Sequence, residues 1–104
     1  MHGYQVKFYT VQDRKHGHQQ LSEWLMQEAK KLGGGATFIA AVEGFGRGHK
    51  MHSAGFVDLA DQPIVIEMVL SEEETSQLFD RLREEHVDVF YTKQPIEFGV
   101  SGDL

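Results

Sequence analysis

Residues 61–92 read DQPIVIEMVLSEEETSQLFDRLREEHVDVFYT, and most of the fold follows from them. The apolar run from Ile64 to Leu70 has the length and β-branched content of a buried strand, and Pro63, which has no backbone N–H to give a ladder, marks its start. Ser71 followed by Glu74 is the pattern of a capping box, in which the serine oxygen accepts from a free backbone N–H and the glutamate accepts from the cap residue in return. A helix therefore begins there. Thr75, Leu78, Phe79 and Leu82 form its apolar stripe, the glutamates of its first turn and Arg81 and Arg83 near its end suit the helix dipole, and the spacing predicts an end near His86. Val87 to Thr92 then reads as a further strand, with Ile96 to Phe98 as a short edge strand after it.

The N-terminal half has the same layout. Tyr4 to Thr10 alternates, with Tyr4, Val6 and Phe8 on one face and Gln5 and Lys7 on the other. Gln12 to Gln20 is polar and irregular. Leu21, Trp24, Leu25, Ala29 and Leu32 follow at helical spacing, and Gly33, Gly34 and Gly35 stop that helix. Ala36 to Glu43 reads as a second strand, and a further strand piece is expected at Ala54 to Leu59. The order is β-α-β-β-α-β: one α+β domain over residues 1–104, ferredoxin-like, with two helices on one face of an antiparallel sheet. Val6, Phe8, Leu21, Leu25, Phe38, Ile66, Leu78, Phe79 and Leu82 are the expected core. Tyr9, Phe90 and Tyr91 among the strand residues give the uncovered face a reason to self-associate.

Composition narrows the function. The formal charge of −6 repels a phosphate backbone, so nucleic acid is not an expected partner. No apolar run approaches the roughly 20 residues of a membrane span, and the start has no signal-peptide order; a cytoplasmic, non-inserted protein is expected. The absence of cysteine removes thiolate metal sites, disulfides and cysteine nucleophiles. Ser53 beside His52 is the only nucleophile–base neighbourhood, and adjacent strand residues point to opposite faces, so no enzyme is expected.

One loop reverses the overall sign. Residues 43–53 read EGFGRGHKMHS: Gly44, Gly46 and Gly48 let a backbone approach a ligand closely, and Arg47, His49, Lys50 and His52 can donate to anionic oxygens. Gly44, Phe45, Gly46, Arg47, Gly48, His49, Lys50 and His52 are the ligand-binding candidates. A flexible solvated turn is the plain alternative. The polar loop before the first helix, with Asp13, Arg14, His16 and His18, is the second candidate. The pairs His16 with His18 and His49 with His52 raise a divalent-metal reading, since imidazole is a common ligand for zinc, copper and nickel.

Gly44-Phe45-Gly46-Arg47 resembles the GFGR that opens the signalling T-loop of PII proteins, again directly after the second strand. Asp13, Gly17, Leu21, Ala29, Leu32, Gly35-Ala36-Thr37, the Gly-Phe-Gly, Met51-His52-Ser53 and Pro63 to Glu67 together resemble the PII-like domain of unknown function 190, from about Val6 to Phe98. The resemblance implies a homotrimeric regulator with a small anionic ligand, an adenine nucleotide in the PII group proper, held in clefts between subunits. It also implies a loop that signals to a membrane transporter or an enzyme. Divalent-cation tolerance proteins share the fold, which is the alternative reading. Two positions depart from PII: Glu84-Glu85-His86-Val87-Asp88 stand where PII proteins hold phosphates with a glycine-rich lysine loop, and Gly48 replaces the glutamine after GFGR. Carboxylates at the first of these would repel phosphates.

Overall fold

A computed structural model describes residues 1–41, 43–45, 51–53 and 62–103, of which 43–45 and 51–53 are described by backbone alone. The strand expected at Ala54 to Leu59 lies outside the described residues.

The elements are β1 (His2–Val11), β2 (Lys15–His16), β3 (Gln19–Gln20), α1 (Leu21–Leu32), β4 (Gly35–Ala40), β5 (Glu43–Phe45), β6 (Met51–Ser53), β7 (Pro63–Ser71), α2 (Glu72–Glu84) and β8 (Phe90–Glu97), with a 3-10 turn at Ser101–Asp103. The main sheet runs in the order β4-β7-β1-β8, every pair antiparallel. This is the expected α+β ferredoxin-like plan, the first strand of each half sitting in the middle.

Alternation sorts the strands into two faces. Val6 and Phe8 of β1 stand opposite Met68 and Ile66 of β7, and all four are wholly buried with Ile64 and Leu70. Helices α1 and α2 cover this side with Leu21, Trp24, Leu25, Ala29, Leu78 and Leu82. Each large apolar side chain of this layer contributes roughly 1.5–3 kcal/mol of burial free energy, so the layer supplies most of what holds the chain together. The outer face carries Gln5 and Lys7 beside Glu67, where Gln5 Nε2 donates to Glu67 Oε1 at 3.4 Å, together with the apolar Ile39, Tyr9 and Phe90, the last two packed edge to face at 5.7 Å. Tyr9, Ile39 and Phe90 are 39%, 41% and 54% exposed, so this face is an uncovered, partly apolar surface.

The helix ends have local causes. Ser71 Oγ accepts from Glu74 N at 3.1 Å and Ser71 N donates to Glu74 Oε1 at 2.8 Å, the reciprocal cap expected from the sequence. Helix α1 ends as Gly33 takes φ 80°; Gly33 N reaches Lys30 O and Gly34 N reaches Ala29 O, satisfying two carbonyls left open at the helix end. Helix α2 ends in the same way, His86 N donating to Arg83 O and Val87 N to Leu82 O, but the left-handed position is filled by His86 at φ 54°.

Helix α2 ends near His86 as expected: its last residue is Glu84, Glu85 caps it and the chain turns left-handed at His86. Five expectations need correction. The last strand starts at Phe90, not Val87: the Val87 N–H is spent on closing the helix, and Val87 and Val89 pack on the core outside any ladder. Ile96 is no separate edge strand but continues β8, which carries Pro95 opposite Tyr4. Phe38, expected in the core, faces the helix side opposite Ile66 but is 43% exposed, because β4 is a sheet edge and α1 leaves it half covered. Phe79 packs against the core only partly buried, and the expected Ala36 to Glu43 strand is interrupted at Ala41 between β4 and β5.

Candidate functional site

Strand directions decide what comes together. β1 ends, β4 ends, β7 begins and β8 begins at one end of the sheet, since Val11 pairs with Pro63, Ala40 with Ile64 and Tyr9 with Phe90. Three connections therefore share that end: the β1–α1 loop, the chain between β4 and β7, and the α2–β8 turn. Gln12 N donates to Gln62 O at 2.9 Å and Ala41 N to Pro63 O at 2.9 Å, tying the first two to the start of β7.

The first candidate loop leaves this end as an antiparallel ribbon, β5 against β6, pairing Glu43 with Ser53, Gly44 with His52 and Phe45 with Met51. The pairing fixes where the chain leaves Phe45 and where it returns at Met51. Of the first candidates, Gly44, Phe45 and His52 lie in the ribbon; Gly46, Arg47, Gly48, His49 and Lys50 lie outside the described residues.

The second loop is more ordered than its composition suggests. β2 and β3 form a two-residue hairpin closed by Gly17 and His18; Gly17 has φ 65°, a backbone that only glycine adopts without strain at the first position of such a turn. Asp13 and His18 are exposed. Arg14 and His16 turn inward. The Arg14 guanidinium donates to Asp88 O of the α2–β8 turn, and Arg14 O accepts from Leu21 N at 2.7 Å as α1 begins. The His16 ring packs 4.7 Å from the Trp24 ring, and its Nε2 is 3.3 Å from Glu85 Oε1.

Sequence reading missed the polar cluster behind this contact. Arg81 lies 3.4 Å from Glu28, 3.8 Å from Glu84 and 3.5 Å from Glu85, with its guanidinium 6.0 Å from the Trp24 ring centre; Lys31 lies 3.4 Å from Glu28. Glu28 is buried, and two cations on different helices compensate its charge. The Glu84 and Glu85 carboxylates, which on sequence grounds would repel phosphates at this turn, face Arg81, and Glu85 faces His16 as well. The only prior signal was helical spacing: Glu28 shares the α1 stripe with Leu21, Trp24 and Leu25.

On the other side of the α2–β8 turn a groove of about 720 Å³ is lined by Phe79, Arg83, His86, Phe90 and Tyr91 among others. Phe79 and Tyr91 meet edge to face at 4.8 Å, and Lys93 Nζ lies 5.7 Å from the Phe79 ring and 4.6 Å from that of Tyr4. The lining is mixed in charge: Arg83 is paired with Asp80, and Asp88 also borders the groove. Among the described residues no three histidine, aspartate or glutamate side chains converge as a metal-binding group, and His16 is engaged by Trp24 and Glu85. Among the described residues no helix is long and apolar enough to cross a membrane.

Residues 3–98 match the DUF190 family model, described as an uncharacterized ACR. Among solved structures the chain is similar to a PII-like signaling protein from Thermus thermophilus, with a TM-score of 0.66 and 25% identity over 92% of this chain and 88% of that one. It is also similar to CPII, a nitrogen regulatory PII-like protein from Thiomonas intermedia bound to ADP, AMP and bicarbonate, with a TM-score of 0.68 and 16% identity over 96% of this chain and 91% of that one. A second CPII structure, bound to ADP and bicarbonate, gives a TM-score of 0.65 at 17% identity over 96% of this chain and 91% of that one. No curated protein matches the chain.

Proposed function

The chain belongs to the DUF190 family, and from that membership we propose that it is a PII-like, ligand-sensing regulatory protein rather than an enzyme. In this reading it is a homotrimer that binds a small anionic ligand, an adenine nucleotide first among the candidates, in clefts between subunits. Residues 44–52 then signal its presence to a partner, a transporter or an enzyme.

The observation that carries the reading is the gathering of three connections at one end of the sheet, with the Glu43–Ser53 ribbon among them. A loop rooted on paired strands and rich in glycine can reorder at its tip while its base stays registered, which is what a switch segment requires. Arg47 and Lys50 supply charge-assisted donors. Arg81 offsets part of the charge of Glu84 and Glu85, so the acidic sequence of the α2–β8 turn opposes an anion less than its composition suggests. The uncovered outer face, with Ile39, Tyr9 and Phe90, supports self-association.

ADP, AMP and bicarbonate, the ligands of CPII, are the first to try, each alone, with divalent metal ions as a separate arm of a thermal-shift measurement. A ligand that binds only the folded protein adds about 2.7 kcal/mol at a hundred-fold excess over its Kd. A nucleotide-dependent rise in Tm is expected, and the R47A/K50A double variant should lose it with its unliganded Tm unchanged. A metal response without a nucleotide response favours the metal reading instead. An intact nucleotide response in the double variant moves the site to the Asp13 to His18 loop.

A further inference from the structure

Strand register sorts the outer face of the sheet into rows that run across all four strands. The row nearest the loop end is Ile39, Val65, Tyr9 and Phe90, and the next is Thr37, Glu67, Lys7 and Thr92. Successive rows on one face lie about 7 Å apart along the strands. Both rows change character at the middle of the sheet. On the β4 and β7 side they present two aliphatic side chains and a carboxylate; on the β1 and β8 side they present two aromatic rings and an ammonium. Lys7 and Glu67 are half-buried and directly opposite in the ladder, yet no ion pair joins them, and among the described residues Lys7 enters none. Glu67 instead accepts from Gln5 Nε2 at 3.4 Å through Oε1.

We propose that Lys7 of one copy of the chain pairs with Glu67 of the next, and that this pair sets the registry in which the sheet faces meet; the inference rests on the self-association proposed above. A face whose two halves carry opposite groups fits a second copy of itself when the axis relating the copies runs along the strands. The β4–β7 half of one sheet then meets the β1–β8 half of the next, and each row meets the same row. Ile39 and Val65 come against Tyr9 and Phe90, and in the neighbouring row the Glu67 carboxylate comes against the Lys7 ammonium. Covering the apolar row draws water away from these charges, and a charge left there without a partner would oppose assembly. A two-fold axis across the strands at this row would set Lys7 against Lys7 and Glu67 against Glu67. The charges therefore select one arrangement among those the apolar row alone would permit.

Charge reversal on separate copies tests this, read by light scattering over a concentration series at low ionic strength, with circular dichroism to check folding. K7E and E67K, each alone, are expected to raise the concentration at which the assembly dissociates about ten-fold or more. Mixed in equal amounts, the two variants should recover much of the lost association, because each supplies the charge the other lacks. The K7E/E67K double variant should assemble much as the wild type does. If a reversal unfolds the chain, K7Q and E67Q take its place: each should weaken assembly, and K7Q/E67Q should be no weaker than either single variant. Single variants that assemble as tightly as the wild type overturn the pair and leave self-association standing. Weakened single reversals that stay dissociated on mixing also overturn it, as do additive losses in the glutamine series. A wild type that is monomeric throughout overturns self-association and the pair with it.

Discussion

Glu28 Oε1 and Arg81 Nε stand 3.4 Å apart where α1 crosses α2, and the Glu28 side chain is only 7% exposed while that of Arg81 is 38% exposed. A pair so placed is asymmetric. Without Arg81, Glu28 keeps only the solvent-exposed Lys31; without Glu28, Arg81 still has Glu84 and Glu85. Breaking a buried pair from the side that strands the charge is the costly direction. R81L should lose about 1–2 kcal/mol after allowance for the exposed half of the pair, whereas E28L should be within about 1 kcal/mol of the wild type. Urea unfolding of both variants checks the ordering, and a larger loss in E28L would contradict it.

His86 occupies a left-handed position that in α1 is given to Gly33. A side chain there costs roughly 1–2 kcal/mol relative to glycine, partly offset by glycine's extra freedom when unfolded. H86G should therefore stabilise the chain by about 0.5–1 kcal/mol. Thermal unfolding reads this directly. A loss of stability would mean that the imidazole makes a contact worth more than the strain.

The reciprocal cap at Ser71 and Glu74 offers a cleaner measurement, because Ser71 also anchors Thr75, whose Oγ1 donates to Ser71 O at 2.7 Å. S71A removes the side-chain acceptor and leaves the backbone bond to Thr75 in place. It should cost about 1 kcal/mol, and S71D should recover most of that. Equal losses in both variants would show that the side-chain acceptor is not what matters.

The outer sheet face gives a test of assembly. Light scattering of the wild type should return three times the 11.8 kDa chain mass. I39E with F90E places charges on two exposed apolar positions and should reduce the species to a folded monomer. A trimer that survives both substitutions would put its interface elsewhere.

How much of this could be read from the chain depends on whether the cause is local. The α2 cap, the glycine stop after α1 and the alternation of β1 and β7 each arise from residues a few positions apart, and each appears in the structure where the sequence puts it. The start of β8 does not, because Val87 and Val89 alternate like strand residues while closing a helix and packing on the core. Phe38 misled for another reason: nothing in an apolar strand says whether it lies in the middle of the sheet or at its edge. The contact between His16 and Glu85 was invisible, since they are 69 positions apart and only the arrangement of the connections at one end of the sheet brings them together.

Pro95, opposite Tyr4 in β8, bears on how copies of this chain can and cannot accumulate. β8 is one margin of the sheet, and a proline there withholds a donor from any strand that tried to join it. The opposite margin, β4, carries no proline among Gly35 to Ala40. Head-to-tail growth of sheets into a fibre needs two receptive margins on every copy. Among the described residues the sheet has one margin without a proline and one blunted by it, so runaway strand addition is discouraged, and contacts between sheet faces are left as the safer way for copies to meet.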